Sequence, residues 1–288
     1  MSDFLYLLII TIFPYRKKVA LENIINCFPE LSKGQRKRLL RKNYHHICNI
    51  LAESIKNLGI SQKELKKRFI IENPEIFEEL NKDGKSIIVI SSHYSNWEFL
   101  ITAQNLIIPQ LAIGIGKPLS RKFLNKKING LRERNGMIVV SAINYKKEIV
   151  SRLNAGEQMA ILALADQAPA PDNAFWTKHF NIETPFPFGP EFMAHQYDFP
   201  VVFLATRKIK RGYYVSKAEL ITSNPRNEPF SLIMQSYAEL LEKQIKEKPQ
   251  DWLWTHKRWK HKVPENIKEV KNNQRKFFYE RFPNAPKA

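Results

Sequence analysis

Two short apolar runs of similar form constrain the fold of this chain most. Residues 86–91 read SIIVIS and follow Asp83-Gly84, and residues 159–165 read MAILALA and follow Ala155-Gly156. A continuous apolar run of this length, without polar alternation, is typical of a strand that is covered on both faces. The two runs therefore predict buried strands of a mostly parallel sheet in an α/β fold.

Helical periodicity separates the predicted strands. Residues 33–58 place apolar side chains at the 3.6-residue spacing of one helix face, between a possible N-cap at Ser32 and a stop at Gly59. Further helical patterns cover residues 97–108, 120–135, 144–154 and 231–248. Residues 199–209 and 213–221 flank Lys210-Arg211-Gly212 and predict a hairpin at the far end of the same sheet.

This alternation predicts a mixed, mostly parallel sheet flanked by helices, with an α-helical N-terminal part. We predict one α/β domain over residues 31–288, preceded by an apolar and basic membrane-associating segment over residues 1–30. Residues 168–190, rich in proline and aromatics, are too long for a simple connection and are interpreted as a functional loop.

The N-terminal segment contains an apolar stretch at residues 4–13. About 20 apolar residues are needed to span a bilayer, so this stretch cannot cross alone. Basic residues follow it at positions 16–18, whereas a signal peptide carries them in front. The order favours an anchor whose basic flank stays cytosolic, with a buried core helix as the alternative.

The charge of the chain implies a polyanionic partner. Forty-six Lys and Arg against 28 Asp and Glu give a formal net charge of +18. Nucleic acid and an anionic membrane surface both qualify, but no RNP, KH or zinc-finger pattern is present, and no nucleic acid is expected. The predicted helix over residues 33–58 carries a basic stripe that can rest on acidic headgroups or simply face solvent. Its residues are Lys33, Arg36, Lys37, Arg38, Arg41 and Lys42.

The two cysteines, Cys27 and Cys48, show no metal-binding spacing and are interpreted as ordinary thiols of a reducing compartment. We expect no metal site. Trp252, Trp254 and Trp259 lie among basic residues and could stack on bases or form an interfacial belt. The alternation of Trp252 and Trp254 favours a strand whose two tryptophans pack in the core.

His93 stands directly after the first predicted strand, where catalytic residues of open α/β sheets gather. Glu98 follows five residues later, and the two side chains can converge if His93 lies in the turn and Glu98 in the first helical turns. The carboxylate would then hold the imidazole tautomer. Ser92 and Ser95 have no nucleophile-elbow context, so an acceptor hydroxyl would be the nucleophile and His93 its base. A structural histidine that caps a helix is the alternative.

Six further blocks accompany this His-x4-Glu pair. With them, the chain resembles the lipid A biosynthesis lauroyl and myristoyl acyltransferase family, within the lysophospholipid acyltransferase-like superfamily. The blocks keep the family's order from about residue 15 to residue 260. Besides 93–98 (HYSNWE), they are the residues at 131–136 (LRERNG), 166–167 (DQ), 184–185 (TP), 189–191 (GPE), 200–203 (PVVF) and 252–260 (WLWTHKRWK).

The resemblance implies an O-acyltransferase that carries an acyl chain from acyl-acyl carrier protein or acyl-CoA to a hydroxyl of a lipid A precursor, without a bound cofactor. It implies a catalytic dyad of His93 and Glu98, while substrate-binding positions are expected at Asn96, Arg132, Arg134, Asp166 and Gln167. The two arginines would hold phosphate of the acceptor or of the donor's pantetheine arm. Asp166 and Gln167 would line the site.

The implied partners are acyl carrier protein, a lipid acceptor and an anionic membrane surface, at the cytoplasmic face of a bacterial inner membrane. Acceptor choice stays open, since a lysophospholipid, an aminolipid or a glycolipid would need the same residues. A basic nucleic-acid-binding protein and an inactive membrane scaffold are alternatives of other classes.

The chain departs from the family in two places. Members usually have a glycine just before the motif histidine and another two residues after it, whereas Ser92 and Ser95 stand here. We expect a tighter turn or an altered acceptor pocket. The apolar N-terminal stretch is also shorter than the family's usual anchor.

Overall fold

The structure is a computed structural model that describes residue 6 and residues 15–116, 121–171 and 174–287; the side chain of Leu124 is left out of the description. Apart from Tyr6, the apolar stretch at residues 4–13 lies outside the described residues.

The described residues form nine strands and ten α-helices. The strands are β1 (Phe69–Ile71), β2 (Ile87–Ser91), β3 (Leu111–Gly116), β4 (Ile138–Ser141), β5 (Met159–Leu164), β6 (Ala174–His179), β7 (Ile182–Pro187), β8 (Val201–Lys210) and β9 (Tyr213–Thr222). The helices are α1 (Lys17–Cys27), α2 (Lys33–Asn57), α3 (Gln62–Arg68), α4 (Glu75–Lys82), α5 (Trp97–Ile107), α6 (Lys122–Glu133), α7 (Tyr145–Asn154), α8 (Gly189–Tyr197), α9 (Leu232–Glu247) and α10 (Ile267–Arg281).

Seven strands form one mixed sheet in the order β1-β9-β8-β2-β5-β3-β4. All neighbouring pairs are parallel except β8 and β9, which form an antiparallel hairpin. This arrangement confirms the predicted mostly parallel α/β fold and its hairpin. The two strands on which the prediction rests, β2 and β5, are direct neighbours in the middle of the sheet.

Both faces of the central strands are covered, which explains their unbroken apolar sequence. On β2, Ile88 and Ile90 belong to one core cluster, and Ile87 and Val89 belong to the other. The first cluster also includes residues of α1, α2, α9 and α10, and the second includes residues of α3, α4 and α5. Helix layers therefore bury each face of the sheet, as a parallel sheet requires.

Helix α2 begins where the sequence predicts. The Ser32 hydroxyl accepts a hydrogen bond from the Gln35 backbone N–H, and the Gln35 side chain accepts one from the Ser32 backbone, which completes a capping box. Such a cap satisfies two backbone donors that a free helix start would leave without partners.

The predicted functional loop at residues 168–190 is corrected. Much of it forms β6 and β7, an antiparallel pair with six registered residue pairs, and α8 starts at its end. Cross-strand side-chain pairs stabilise this hairpin. Phe175 and Phe186 lie opposite each other and are buried, and Lys178 and Glu183 lie opposite each other with opposite charges.

None of the helices in the described part of the chain combines the length and the apolar character needed to cross a bilayer. Helix α1, which falls within the predicted N-terminal segment, buries Ala20 and Ile24 in the first core cluster. The division into residues 1–30 and 31–288 stays a prediction.

Candidate active site

The adjacency of β2 and β5 brings His93 and Asp166 together. Ser91 pairs with Leu164 at the carboxyl ends of the two strands, and one residue separates each strand end from His93 or Asp166. The His93 imidazole Nδ1 lies 2.7 Å from Asp166 Oδ1, and the His93 backbone N–H donates to Asp166 Oδ2 at 2.9 Å. The carboxylate thus holds the histidine through both its ring and its backbone.

Asp166 has a third partner from a distant part of the chain. The indole Nε1–H of Trp252 donates to Asp166 Oδ2 at 2.9 Å. Burial alone would raise the pKa of Asp166, but the His93 ring and the hydrogen bonds from His93 and Trp252 outweigh burial and lower the pKa to about 2. Asp166 is therefore an anion throughout the neutral pH range.

This hydrogen-bond network assigns the histidine tautomer. An ionised carboxylate accepts only, so Nδ1 of His93 carries the proton that points at Asp166. Nε2 is then the acceptor, and the Gln167 side-chain amide lies 3.2 Å from it. Because the side chain of His93 keeps 17% of its surface exposed, an incoming hydroxyl that displaces Gln167 meets a free lone pair.

The turn after His93 is held by backbone and buried polar contacts. Ser95 adopts a left-handed conformation, with φ of 56°, and its N–H donates to the backbone carbonyl of Asp251. Asn96 then caps α5: its Oδ1 accepts from the Phe99 backbone N–H, and its amide donates to the buried Glu53 carboxylate. The side chains of the turn thus place His93 above the ends of β2 and β5.

Asn96, one of the predicted substrate-binding residues, lies beneath the turn that follows His93. Its side chain is fully buried, and contacts with Phe99 and Glu53 occupy its oxygen and nitrogen. It supports the turn from below, and its role in substrate binding stays a prediction.

The expected contact between Glu98 and the His93 ring is not the one that the structure shows, since Glu98 pairs with Arg132 and Asp166 meets the ring. Glu98 lies in the first turn of α5, and its Oε1 receives a hydrogen bond from Arg132 Nη2 at 3.1 Å. Asp166 occupies the Nδ1 side of the imidazole instead, because the neighbouring strand delivers its carboxylate directly beneath the ring. The catalytic contribution of Glu98 stays a prediction.

The two predicted arginines separate in space. Arg132 joins Glu98 near the site, with 27% of its side chain exposed. Arg134 donates instead to the backbone carbonyl of Leu58, just after the end of α2. Of the pair, Arg132 is the one whose guanidinium pairs with a residue of the His-x4-Glu motif.

The predicted core role of Trp252 and Trp254 is confirmed, although the strand is not. Both side chains are buried and meet edge to face at 4.7 Å, in an irregular segment where Trp252 forms an isolated bridge with Tyr94 outside the named strands. The sequence did not predict that Trp252 also holds Asp166. No local pattern signals that contact, because 86 residues separate the two.

The site thus combines an ordered imidazole, a buried carboxylate and a neighbouring cation, but no protein nucleophile in contact with the imidazole is seen among the described residues. Such a set suits proton transfer from a substrate hydroxyl, as in acyl transfer to an alcohol.

Comparison with known proteins agrees with this class. Residues 4–261 match the family described as bacterial lipid A biosynthesis acyltransferase. The chain is 20% identical over 248 residues to a lipid A biosynthesis palmitoleoyltransferase of Escherichia coli strain K12, an alignment that covers 85% of this chain and 79% of the relative. A lipid A biosynthesis acyltransferase of Shigella flexneri shows the same identity and coverage.

The chain belongs to the bacterial lipid A biosynthesis acyltransferase family. It is therefore an acyltransferase, and the family implies a lipid acceptor.

Proposed function

We propose that the protein transfers a fatty acyl chain from an acyl thioester, carried by acyl carrier protein or coenzyme A, to a hydroxyl of a lipid A precursor. The observation that carries this proposal is the His93–Asp166 contact, which leaves Nε2 as the open basic nitrogen. The names of the two relatives support the acceptor class.

In the proposed reaction, the acceptor hydroxyl displaces Gln167 and donates its hydrogen bond to Nε2 of His93. The hydroxyl oxygen attacks the thioester carbonyl carbon while Nε2 takes the proton. Collapse of the tetrahedral intermediate forms the ester and breaks the carbon–sulfur bond, and the imidazolium returns the proton to the departing thiolate. Asp166 stabilises the imidazolium between these steps and keeps the ring oriented.

The Glu98–Arg132 pair provides charge on the more open side of the site. An arginine binds phosphate through forked donors, and the Arg132 Nε is buried without a hydrogen-bond partner among the described residues. We assign Arg132 to the phosphate of the acceptor or of the pantetheine arm. Glu98 holds the guanidinium in place until substrate arrives.

Membrane association is part of the proposal. Leu51 and Ile55 lie on one face of α2 and Leu58 directly follows its last residue; the three keep 45%, 54% and 64% of their surface exposed. Phe123 on α6 is 72% exposed, and Arg134 links the C-terminal end of α6 to the C-terminal end of α2. Exposed apolar side chains on a strongly basic protein suit the surface of an anionic bilayer.

The proposed function is tested by mass spectrometry of lipids after incubation with acyl-acyl carrier protein and a tetra-acylated lipid A precursor. The unmutated protein should add one acyl mass, and His93→Ala should add none because the base is lost. His261→Ala, which removes a half-buried histidine outside the His93–Asp166 contact, is the matched control and should retain activity.

Thermal unfolding of each variant shows whether the fold survives. Unchanged turnover by a folded His93→Ala protein would refute the catalytic role. If no variant adds mass to this precursor, the acceptor is another amphiphile.

A further inference from the structure

A cavity of about 470 Å³ lies beside the candidate active site. Its walls come from one face of α2, from the end of β8 and from the turn before Trp252, and Tyr6 closes one side. The volume falls in the range of small-molecule pockets. Five basic side chains line it: Arg41, Lys42, Lys208, Lys210 and Lys248.

The cavity is strongly positive. Of the lining residues that the structure describes, only Asp251 carries a carboxylate, and that side chain is 7% exposed and lies 3.4 Å from the His46 ring. Burial lowers the pKa of His46 to about 3, so this histidine is neutral, and within the described lining Asp251 alone opposes the five cations. Among the described residues, no carboxylate forms a salt bridge with any of the five. A multiply charged anion would satisfy them together.

Two hydrogen bonds connect the cavity wall to the turn that follows His93. The Tyr94 hydroxyl donates to the backbone carbonyl of Lys248 at 2.9 Å, and the Ser95 N–H donates to the backbone carbonyl of Asp251 at 2.8 Å. Tyr94 and Ser95 directly follow His93. The cavity wall at Lys248 and Asp251 is therefore hydrogen-bonded to the turn that positions His93.

Apolar groups lie beside the cations. Ile209 stands between Lys208 and Lys210, lines the cavity and is 56% exposed. Tyr6 packs on the His45 ring with centroids 4.8 Å apart, and it comes from the apolar stretch at residues 4–13. A soluble anion would gain nothing from these side chains, whereas a phosphate attached to a lipid brings its own apolar part.

We propose that this cavity binds the phosphate headgroup of an anionic lipid. The proposal rests on the membrane association proposed above and gives that association a defined site. It separates two parts of the basic stripe on α2. Arg41 and Lys42 bind a headgroup in the cavity, while Lys33, Lys37 and Arg38 are exposed, lie outside it and add general attraction.

The test compares binding to two kinds of vesicle. Both contain neutral phosphatidylcholine, one with phosphatidic acid and the other with phosphatidylglycerol, matched in total surface charge. The unmutated protein should bind the phosphatidic acid vesicles about tenfold more tightly, because a terminal phosphate enters the cavity and a phosphodiester does so poorly. Co-sedimentation measures both affinities.

Two triple variants that lose the same charge distinguish binding in the cavity from general attraction by the exposed basic residues of α2. Arg41→Gln, Lys208→Gln and Lys210→Gln together should abolish the preference for phosphatidic acid. Lys33→Gln, Lys37→Gln and Arg38→Gln together should weaken binding to both vesicles by similar factors and keep the preference. Thermal unfolding confirms that each triple variant is folded.

Four results would overturn the proposal. If both triple variants kept the same preference for phosphatidic acid over phosphatidylglycerol, the cavity would add only general electrostatic attraction to the membrane. Competition by inorganic phosphate as strong as that by the lipid would assign the cavity to a soluble phosphate. Loss of binding to acyl carrier protein alone, with vesicle binding unchanged, would make the cavity a docking site for an acidic protein. Failure of every form to bind vesicles would remove the membrane association as well, while acyl transfer in detergent would still test the proposed function separately.

Discussion

The two carboxylates near His93 lie in different surroundings. Asp166, on the floor of the site, is 3% exposed and receives hydrogen bonds from His93 and Trp252. Glu98, on the rim, is 21% exposed, and its contact with a side chain is with Arg132, itself 27% exposed. The floor is a buried and fully paired network, whereas the rim is a single ion pair that water reaches.

This difference separates two tasks. A buried carboxylate with fixed donors holds a ring in one tautomer, since moving it would leave charge without partners in the protein interior. A half-exposed ion pair contributes little to stability and can exchange partners at small cost. We infer that the floor orients the base and that the rim receives the substrate's charge.

Asp166→Asn breaks the floor and should have the largest effect. The amide oxygen can keep the backbone and indole donors, but its NH₂ then faces Nδ1 and forces the proton of His93 to Nε2. We expect turnover to fall by about a hundredfold or more, the usual size of a lost general base. Single-turnover acyl transfer measures this rate.

Glu98→Gln is the matched control, because it removes the same charge from the rim. It should slow turnover by about tenfold or less, as expected for a partly exposed pair. A larger loss in Glu98→Gln than in Asp166→Asn would reverse the assignment of the two carboxylates.

The contribution of Asp166 to the stability of the fold should decrease over a defined range of acidic pH. The folded-state pKa of Asp166, about 2, lies below its ordinary value of 3.8, so its contribution to stability is complete above about pH 4 and is lost as the pH falls toward 2. We expect a contribution on the order of 2 kcal/mol. Chemical unfolding at several pH values should show the stability gap between the unmutated protein and Asp166→Asn closing in this window, and a constant gap would contradict the depressed pKa.

Arg132→Gln sharpens the role of the rim. This variant lacks the cation that would bind the substrate phosphate, and a hydrogen bond to a charged group contributes about 1.5 kcal/mol. We therefore expect kcat/KM to fall by about tenfold, mainly through a higher KM. Arg134→Gln removes the same group from a position that contacts the Leu58 carbonyl. Steady-state kinetics should find it within about twofold of the unmutated protein, and equal losses would place the phosphate elsewhere.

Ser95→Gly tests the turn that joins floor and rim. Ser95 pays for a left-handed backbone, and its hydroxyl is buried without a hydrogen-bond partner among the described residues. Glycine removes both costs but loses more entropy on folding, and the net gain should be about 0.5 to 1 kcal/mol. Ser92→Gly removes a similarly buried hydroxyl where φ is not positive and should not stabilise the protein. Thermal unfolding compares the two.

The sequence predicts much of the framework because its main elements carry strong local signals. The unbroken apolar runs of β2 and β5 and the capped helix α2 appear near their predicted bounds. Strand β3 was missed because Gly114 and Gly116 interrupt its apolar run, and β6 and β7 were missed because prolines and polar residues mask their pairing.

The site is harder to predict because it depends on contacts between distant residues. The structure brings His93 and Asp166 into contact and pairs Arg132 with Glu98 of the His-x4-Glu motif, whereas the roles of these residues stay predictions. Which carboxylate touches the ring depends on the adjacency of β2 and β5 and on Trp252, and no local spacing encodes either. The left-handed φ of Ser95 gives a physical reason for glycine at that position in the family.

The most direct test of the account is the tautomer of His93. Two-bond proton–nitrogen NMR spectra of histidine-labelled protein at about pH 8 distinguish the two neutral forms, and His93→Gln identifies the resonance. We predict a proton on Nδ1 and a bare Nε2, with the opposite form in Asp166→Asn. A proton on Nε2 in the unmutated protein would contradict the assignment of His93 as a base held by Asp166.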